Sequence, residues 1–298
     1  MNDRRGHLLL LAPYLFGLAV LVFFPAVVTF GLALTEYDLI RSPRFVGLDN
    51  FRELWSDPIF ARALENSLHF AAFGVPLRVL AALGLALLLH VRFRGVTVYR
   101  SAAVVPTVVP EIAYGLLWLW FLNPLYGPIN LFLDLGGEPE RTFWGARLPQ
   151  WLTDGGDARA AIVVMSLFTI GEPFVVLLVA RQAIPHELYE LGATEGASPL
   201  RVFARLTLPL LAPVLLLLFC RDTIFSLQAT FVPALIVTDG GPPPYETTYL
   251  PLFVYRNAFE YLRYGYAAAA TVVMFGLTAL IVFLQWRILR LWTTGFAV

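Results

Sequence analysis

The sequence predicts an all-α integral membrane protein with six transmembrane helices, N-in/C-in, and a cytoplasmic helix between the fourth and fifth. Three observations predict it. Of 298 residues, 58% are hydrophobic and only 14% charged, at a mean hydropathy of +0.71, whereas soluble domains carry about 25% charged and about 45–50% apolar residues. Apolar segments of roughly twenty residues or more recur six times along the chain. The arginines are distributed unequally about those segments.

The first span is 8–35, which holds no charged residue over 28 positions. As a helix at ~1.5 Å per residue it could extend ~42 Å, against a hydrocarbon core of ~30 Å. Arg4 and Arg5 precede it as in a signal peptide, but a signal h-region has only about 7–15 residues, so the segment reads as an uncleaved span. The other spans are 66–90, 101–121, 160–180, 206–231 and 264–286; the last is free of charge and the rest each contain an ionisable group. Pro106, Pro110, Pro173, Pro209, Pro213 and Pro233 punctuate them, and kinks rather than breaks are expected, because neighbouring helices re-satisfy the freed carbonyls. Trp118 and Trp120 near the outer end of the third span read as interfacial belt residues. The extracytoplasmic loops are then 36–65, 122–159 and 232–263, the cytoplasmic loop is 181–205, and 1–298 forms one transmembrane domain.

This topology places ten arginines and four acids in short inside segments, and nine arginines with fourteen acids in long outside loops. Density near the span ends favours N-in/C-in under the positive-inside rule.

The chemistry is as restricted as the topology. Every one of the 21 basic residues is arginine, balanced by 21 acids, so bulk attraction to nucleic acid is not expected. Without lysine there is no phosphate-loop lysine, Schiff base or Ser/Lys dyad. Cys220 is the only cysteine, which excludes an intrachain disulfide and a multi-cysteine zinc site. His7, His69, His90 and His186 are far apart, and the position four after His186 is Glu190, so the zincin pattern fails. No catalytic residue, metal site or cofactor is assigned to this chain.

The loop 181–205 has a helical program of its own. Pro185 suits a first turn, Glu187 and Glu190 follow near a positive dipole end, Gly196 offers a stop, and Ser198-Pro199 restarts a helix. On the first helix Tyr189, Gly192, Ala193, Gly196 and Ala197 fall at i, i+3, i+4, i+7 and i+8, a face of little bulk that either admits a close partner or packs on its own membrane domain.

The stretch from Ile184 to Ser198 continues through Phe203 to Leu206-Thr207-Leu208-Pro209 and Pro213. It resembles the EAA loop of permease subunits in binding-protein-dependent ABC importers, in the carbohydrate and glycerol-phosphate branch. Glu190 matches the motif's opening glutamate, Gly196 its glycine and Leu208-Pro209 its leucine-proline, whereas Leu191 and Gly192 stand where two alanines are usual and Glu195 replaces an aspartate. Four further stretches look like landmarks of the same branch in the same order: Phe45 to Phe51, Asn123 to Asn130, Thr238 to Pro242 and Tyr255 to Phe259. The resemblance implies a coupling helix docking on an ATPase through Tyr189, Glu190, Gly192, Ala193, Glu195, Gly196, Ala197, Leu208 and Pro209. It also implies a second permease chain, two ATPase subunits that hold ATP and Mg, and an extracytoplasmic solute-binding protein, all at a bacterial inner membrane. The implied cargo is a sugar or oligosaccharide, with glycerol phosphate or a polyol as the alternative.

Arg78, Glu111, Glu172, Arg221 and Asp222 lie within spans. Each costs about 2.5–3.5 kcal/mol at a helix centre on insertion scales, so they must face the bundle, water or one another. Arg78 with Glu172 forms either an ion pair between the second and fourth spans or one side of a polar path. Glu111, between two prolines, reads as satisfied by backbone or by snorkelling. Arg221 and Asp222 are adjacent, about 100° apart on a helix, so they cannot share a direction. With Phe225, Ser226, Gln228 and Phe231 in the next turns they are the candidate substrate path, although the two phenylalanines also suit plain packing. An ion-driven secondary transporter would show internal repeats, and none is found. A membrane enzyme lacks a nucleophile with a base at usable spacing, and a structural anchor does not account for the loop.

Overall fold

The computed structural model describes residues 3–91, 93–123, 126–133, 151–152, 154–241 and 245–294. Arg92, Pro124, Leu125, Arg141, Arg147, Pro242 and the stretch 134–150 of the second outer loop lie outside the described residues. Among the described residues the helices are α1 (Asp3–Leu18), α2 (Phe24–Leu32), α3 (Asp49–Ser56), α4 (Pro58–His69), α5 (Val75–Leu89), α6 (Val96–Val108), α7 (Glu111–Phe121), α8 (Pro128–Leu133), α9 (Gly155–Leu167), α10 (Gly171–Gln182), α11 (His186–Thr194), α12 (Pro199–Val202), α13 (Leu208–Ala229), α14 (Phe231–Ile236), α15 (Leu250–Tyr255) and α16 (Tyr264–Thr294). Short π-helical turns join α1 to α2, α4 to α5 and α12 to α13 without breaking the helix. A two-residue antiparallel hairpin pairs β1 (Thr35–Glu36) with β2 (Arg44–Phe45), with Thr35 facing Phe45.

Among the described residues four helical runs are long and apolar enough to cross a membrane: Leu10–Leu32, Pro58–Leu89, Pro199–Ile236 and Tyr264–Ile288. Two bent pairs raise the number to six if each pair is one span. In one of them, α6 and α7 meet at 101°. The kink expected at Pro110 is therefore a break. Val109 is held extended at ψ 130° by the proline after it, and Pro110 itself has ψ 137°, so two successive residues leave the helical region. Pro106 and Pro213, by contrast, lie inside continuous helices. The other pair, α9 and α10, bends by 46°.

The helices form two compact units, Met1–Ala61 with Phe253–Leu277 and Arg62–Leu252 with Thr278–Val298. In the first, no residue from Leu10 to Leu32 is buried, and Phe16, Leu21, Phe23, Phe24 and Val27 are all well exposed. Burying one such side chain is worth about 1.5–3 kcal/mol, so a row of them suits lipid and not water. Polar bonds secure the hairpin end: Asn50 Nδ2 donates to Ala33 O and Thr35 O at 2.9 Å each, and Tyr266 Oη donates to Asp57 Oδ2 at 2.7 Å.

The second unit packs α5, α10 and α13 through Val79, Ala82, Ala86, Phe174, Leu177 and Leu211. A separate apolar cluster joins Phe70, Trp118, Ile162, Met165, Ala234 and Tyr249. Trp118, expected in the interfacial belt, is thus a core residue, with its ring edge-on to Phe168 at 5.2 Å, whereas Trp120 is exposed. The broken span turns one tryptophan inward and leaves the other outside. Where α6 passes α10 there is no room for a side chain at Gly171: a Cβ there would lie 2.8 Å from Thr107 Cγ2 and 3.0 Å from Val104 Cα.

Candidate functional site

Between α5, α6, α7, α9, α10 and α13 lies a cavity of about 350 Å³, at the small end of the range of ligand pockets. Its wall carries Arg78, Glu111, Glu172 and Arg221, the rings of Phe70, Tyr114 and Phe225, and the hydroxyls of Thr107, Ser166, Thr169, Ser226 and Thr230. Five of the eight residues expected to form a path line it: Arg78, Glu172, Arg221, Phe225 and Ser226. Asp222 is buried behind Arg78, and Phe231 packs against the Trp118 cluster. Gln228 lies on a separate apolar groove between α13 and the second half of α16, beside Cys220 and Phe283.

Of the two readings for Arg78 and Glu172, the direct pair is not formed, while both line the chamber. Arg78 on α5 donates from Nε to Asp222 Oδ2 on α13 at 2.9 Å, and both side chains are almost fully buried, at 7% and 1% exposure. Glu172 on α10 pairs instead with Arg221 on α13. Because Arg221 and Asp222 diverge on one helix, α13 bonds to two neighbours at the same level, α5 through the acid and α10 through the base. The rest of the Arg78 guanidinium is held at the α9/α10 bend. Nη1 donates to Ser166 O at 2.5 Å and Thr169 Oγ1 at 3.0 Å, and Nη2 to Thr169 O at 3.4 Å. That bend frees carbonyls at midspan, and the arginine takes them up.

Glu111 opens α7 on the cavity wall, placed there by the Pro110 break. Tyr114, one turn on, was not singled out in the sequence; its Oη donates to Met165 O at 2.6 Å and ties α7 to α9. Ser166 and Thr169 were missed as well. The Thr169-Ile170-Gly171-Glu172-Pro173 run was the available signal, since glycine and proline close together inside a span mark a bend with free carbonyls.

The loop 181–205 forms helix, turn and helix. α11 ends in a Schellman closure, with Ala197 N donating to Gly192 O at 2.9 Å, Gly196 N to Ala193 O at 3.1 Å, and Gly196 at φ +68°. Ser198 caps α12, accepting from Arg201 N, with Pro199 in the first position. The small-residue face does not run on through Gly196 and Ala197, because the left-handed residue ends the helix. Nor does all of it face outward. Tyr189 bonds Thr207 Oγ1 at 3.1 Å under the Arg181 guanidinium, 4.1 Å from its ring, and a Cβ at Gly192 would meet Val202 Cγ2 at 3.3 Å. Glu190, Leu191, Ala193, Glu195 and Gly196 are exposed. Leu208 and Pro209 begin α13.

A bundle of apolar helices, broken at two places around a polar chamber and carrying a structured loop on the helix that lines it, is the architecture of a multi-pass membrane permease. Residues 74–292 match the family described as the inner membrane component of binding-protein-dependent transport systems, and the chain belongs to that family, as an ABC transporter permease of the inner membrane. It is 31% identical to the sulfoquinovosyl glycerol transport system permease protein SmoG of Agrobacterium fabrum, over 97% of this chain and 92% of the relative. It is 30% identical to the sn-glycerol-3-phosphate transport system permease protein UgpA of Escherichia coli O157:H7, over 94% and 92%. A chain of a bacterial alginate ABC transporter, solved with a periplasmic protein bound to alginate pentasaccharide, has the same fold at a TM-score of 0.82 and 22% identity, covering 97% of this chain and 96% of that one.

Proposed function

We propose that the chain is the transmembrane permease subunit of an ATP-driven ABC importer and forms, with a second permease, the path for a carbohydrate delivered by an extracytoplasmic binding protein. In this reading each bent pair counts as one span, giving six, and both termini face the cytoplasm. ATP and Mg belong to two partner ATPase subunits. The loop 181–205 docks on one of them.

The observation that carries the reading is the continuity of one helix. From Pro199 through the π-helical turn Phe203–Thr207 to Ala229 the backbone is helical without a break. Its start adjoins the exposed loop and its second half carries Arg221, Phe225 and Ser226 on the chamber. At about 1.5 Å per residue those points are about 33 Å apart, and a stiff rod between them converts a push at the loop into movement of the chamber wall. The substrate class has its support in the relatives, whose names give a sulfoquinovosyl glycerol and a glycerol phosphate as their cargo.

Leu191, 61% exposed on α11, is the test position. Leu191→Arg leaves the bundle untouched and places charge on the docking face. Uptake and binding-protein-stimulated ATP hydrolysis by the assembled complex are expected to fall about tenfold or more, as at an interface hot spot. Unchanged hydrolysis and uptake, with normal assembly, would remove the loop from the coupling path.

A further inference from the structure

We propose that Arg181 is a positioning residue for coupling, and that it holds α11 to the adjoining ends of α5 and α13 only while His90 is uncharged. Acid on the side of the loop then frees α11. This rests on the coupling role read for the loop 181–205 and sets a condition on it.

Arg181 stands in the last turn of α10 and touches two side chains. Its guanidinium lies 4.1 Å from the centre of the Tyr189 ring on α11, and its Nη2 lies 3.4 Å from Nε2 of His90, the residue that closes α5. Tyr189 extends the chain of contacts, its hydroxyl 3.1 Å from Oγ1 of Thr207, which is buried just before α13. One guanidinium thus ties the loop to the ends of three helices that carry charged groups at the chamber. Among the described residues no ion pair joins Arg181 to a carboxylate, so a ring face and one hydrogen bond hold it.

That hydrogen bond depends on a single proton. His90 Nδ1 lies 2.5 Å from Leu87 O. A carbonyl only accepts, so Nδ1 carries the proton, and Nε2 of the neutral ring has the lone pair that Arg181 needs. A second proton makes Nε2 a donor and sets two positive groups against each other. Nothing packed against α5 at this level offsets them. α10 brings Arg181, and α6 brings Arg100, whose Nε and Nη2 donate to Leu89 O at 3.0 and 2.7 Å. Glu172 of α10 and the charged residues of α13 belong to the level where Asp222 meets Arg78, about 18 Å back along α5. Arg159 of α9 lies farther still, beside Glu65 on α4. On α11, His186 and Glu190 pair with each other at the exposed surface. A helix C-terminus favours positive charge, so a charged His90 keeps Leu87 O and Arg181 is the group that gives way. Tyr189 then loses its cover, and α11 moves without carrying α5 and α10 with it. Histidine is the side chain whose charge ordinarily changes between about pH 5 and 8, so the joint is tight at the top of that range and slack at its foot.

The test is the distance between spin labels at Leu88→Cys on α5 and Glu187→Cys on α11, both exposed positions, in a Cys220→Ser background. It is measured on the assembled transporter in lipid nanodiscs, with partner chains free of reactive cysteine. Lowering the pH from about 8 to about 5.5 is expected to broaden the distance distribution at least twofold. His90→Gln, whose amide oxygen accepts from Arg181 at any pH, is expected to keep it narrow throughout. Arg181→Gln should be broad at both ends of the range, and Arg181→Lys intermediate, since an ammonium keeps the ring contact and loses the fork. Binding-protein-stimulated ATP hydrolysis should follow the width, falling with pH at least threefold more in the parent than in His90→Gln. A parent distribution that stays narrow in acid, or a His90→Gln distribution that broadens as the parent's does, would overturn the inference. Leu191→Arg in the same assay separates it from the reading beneath it. Loss of stimulation at Leu191→Arg without any effect at His90 leaves the coupling role standing and removes the dependence on His90, whereas full stimulation at Leu191→Arg removes the coupling role and this inference with it.

Discussion

Asp222 and Arg78 are separated by 144 positions in the chain and joined by a 2.9 Å bond in the bundle. Asp222 was expected to meet substrate; its carboxylate is instead enclosed, 1% exposed, and serves the guanidinium. Removing one partner of a buried pair leaves the other charge uncompensated, at about 3–5 kcal/mol, while apolar replacement of both is often nearly neutral. Asp222→Asn is accordingly expected to lower the thermal unfolding temperature of the purified protein markedly, and Arg78→Met with Asp222→Leu to recover most of the loss. An Asp222→Asn protein as stable as the parent but deficient in ligand binding would return Asp222 to the path. The need for pairing was legible in the sequence, because five ionisable groups within spans cannot all face lipid. The choice of partners was not. It depends on which helices touch at which level, and the adjacency of Arg221 and Asp222 required only that they diverge.

Helix packing explains the remaining differences between sequence and structure. The prolines were visible and their tolerance in membranes predicted kinks, but at Val109-Pro110 two consecutive extended residues turn the chain by 101° and bring Glu111 and Tyr114 to the chamber. On α11 the small residues were visible too, but only the packed structure shows Gly192 facing Val202 rather than outward. Close approach also sets the spacing of α6 and α10. Gly171→Ala would place a methyl against the Val104 backbone as well as Thr107, and should cost about 1–3 kcal/mol, as overpacking does. Gly84 on α5 is the matched control, having nothing within 4 Å of its added Cβ. Gly84→Ala should leave stability unchanged or raise it by up to about 1 kcal/mol. Thermal unfolding of the two variants side by side separates a packing requirement at Gly171 from a general cost of changing glycine in a span.

For the whole molecule, the zero net charge conceals a division: ten arginines against four acids in the segments assigned inside, nine against fourteen in those assigned outside. The excess of positive charge near the span ends on one side is the feature that orients multi-pass proteins during insertion. The direction of insertion in turn decides whether the loop 181–205 lies on the side where the proposed ATPase subunits would dock. Because Cys220 is the only cysteine, the orientation can be read directly. In a Cys220→Ser background, Ser42→Cys probes the loop 36–65 and Glu195→Cys the loop 181–205, both at exposed positions. A membrane-impermeant maleimide applied to intact cells should label the first and spare the second, and inside-out vesicles should reverse the pattern. Labelling of both positions from one side would mean that an odd number of crossings does not separate them, and the count of three spans between residues 42 and 195 would be wrong. Labelling at Glu195→Cys from outside alone would invert the protein and remove the loop from the ATPases altogether.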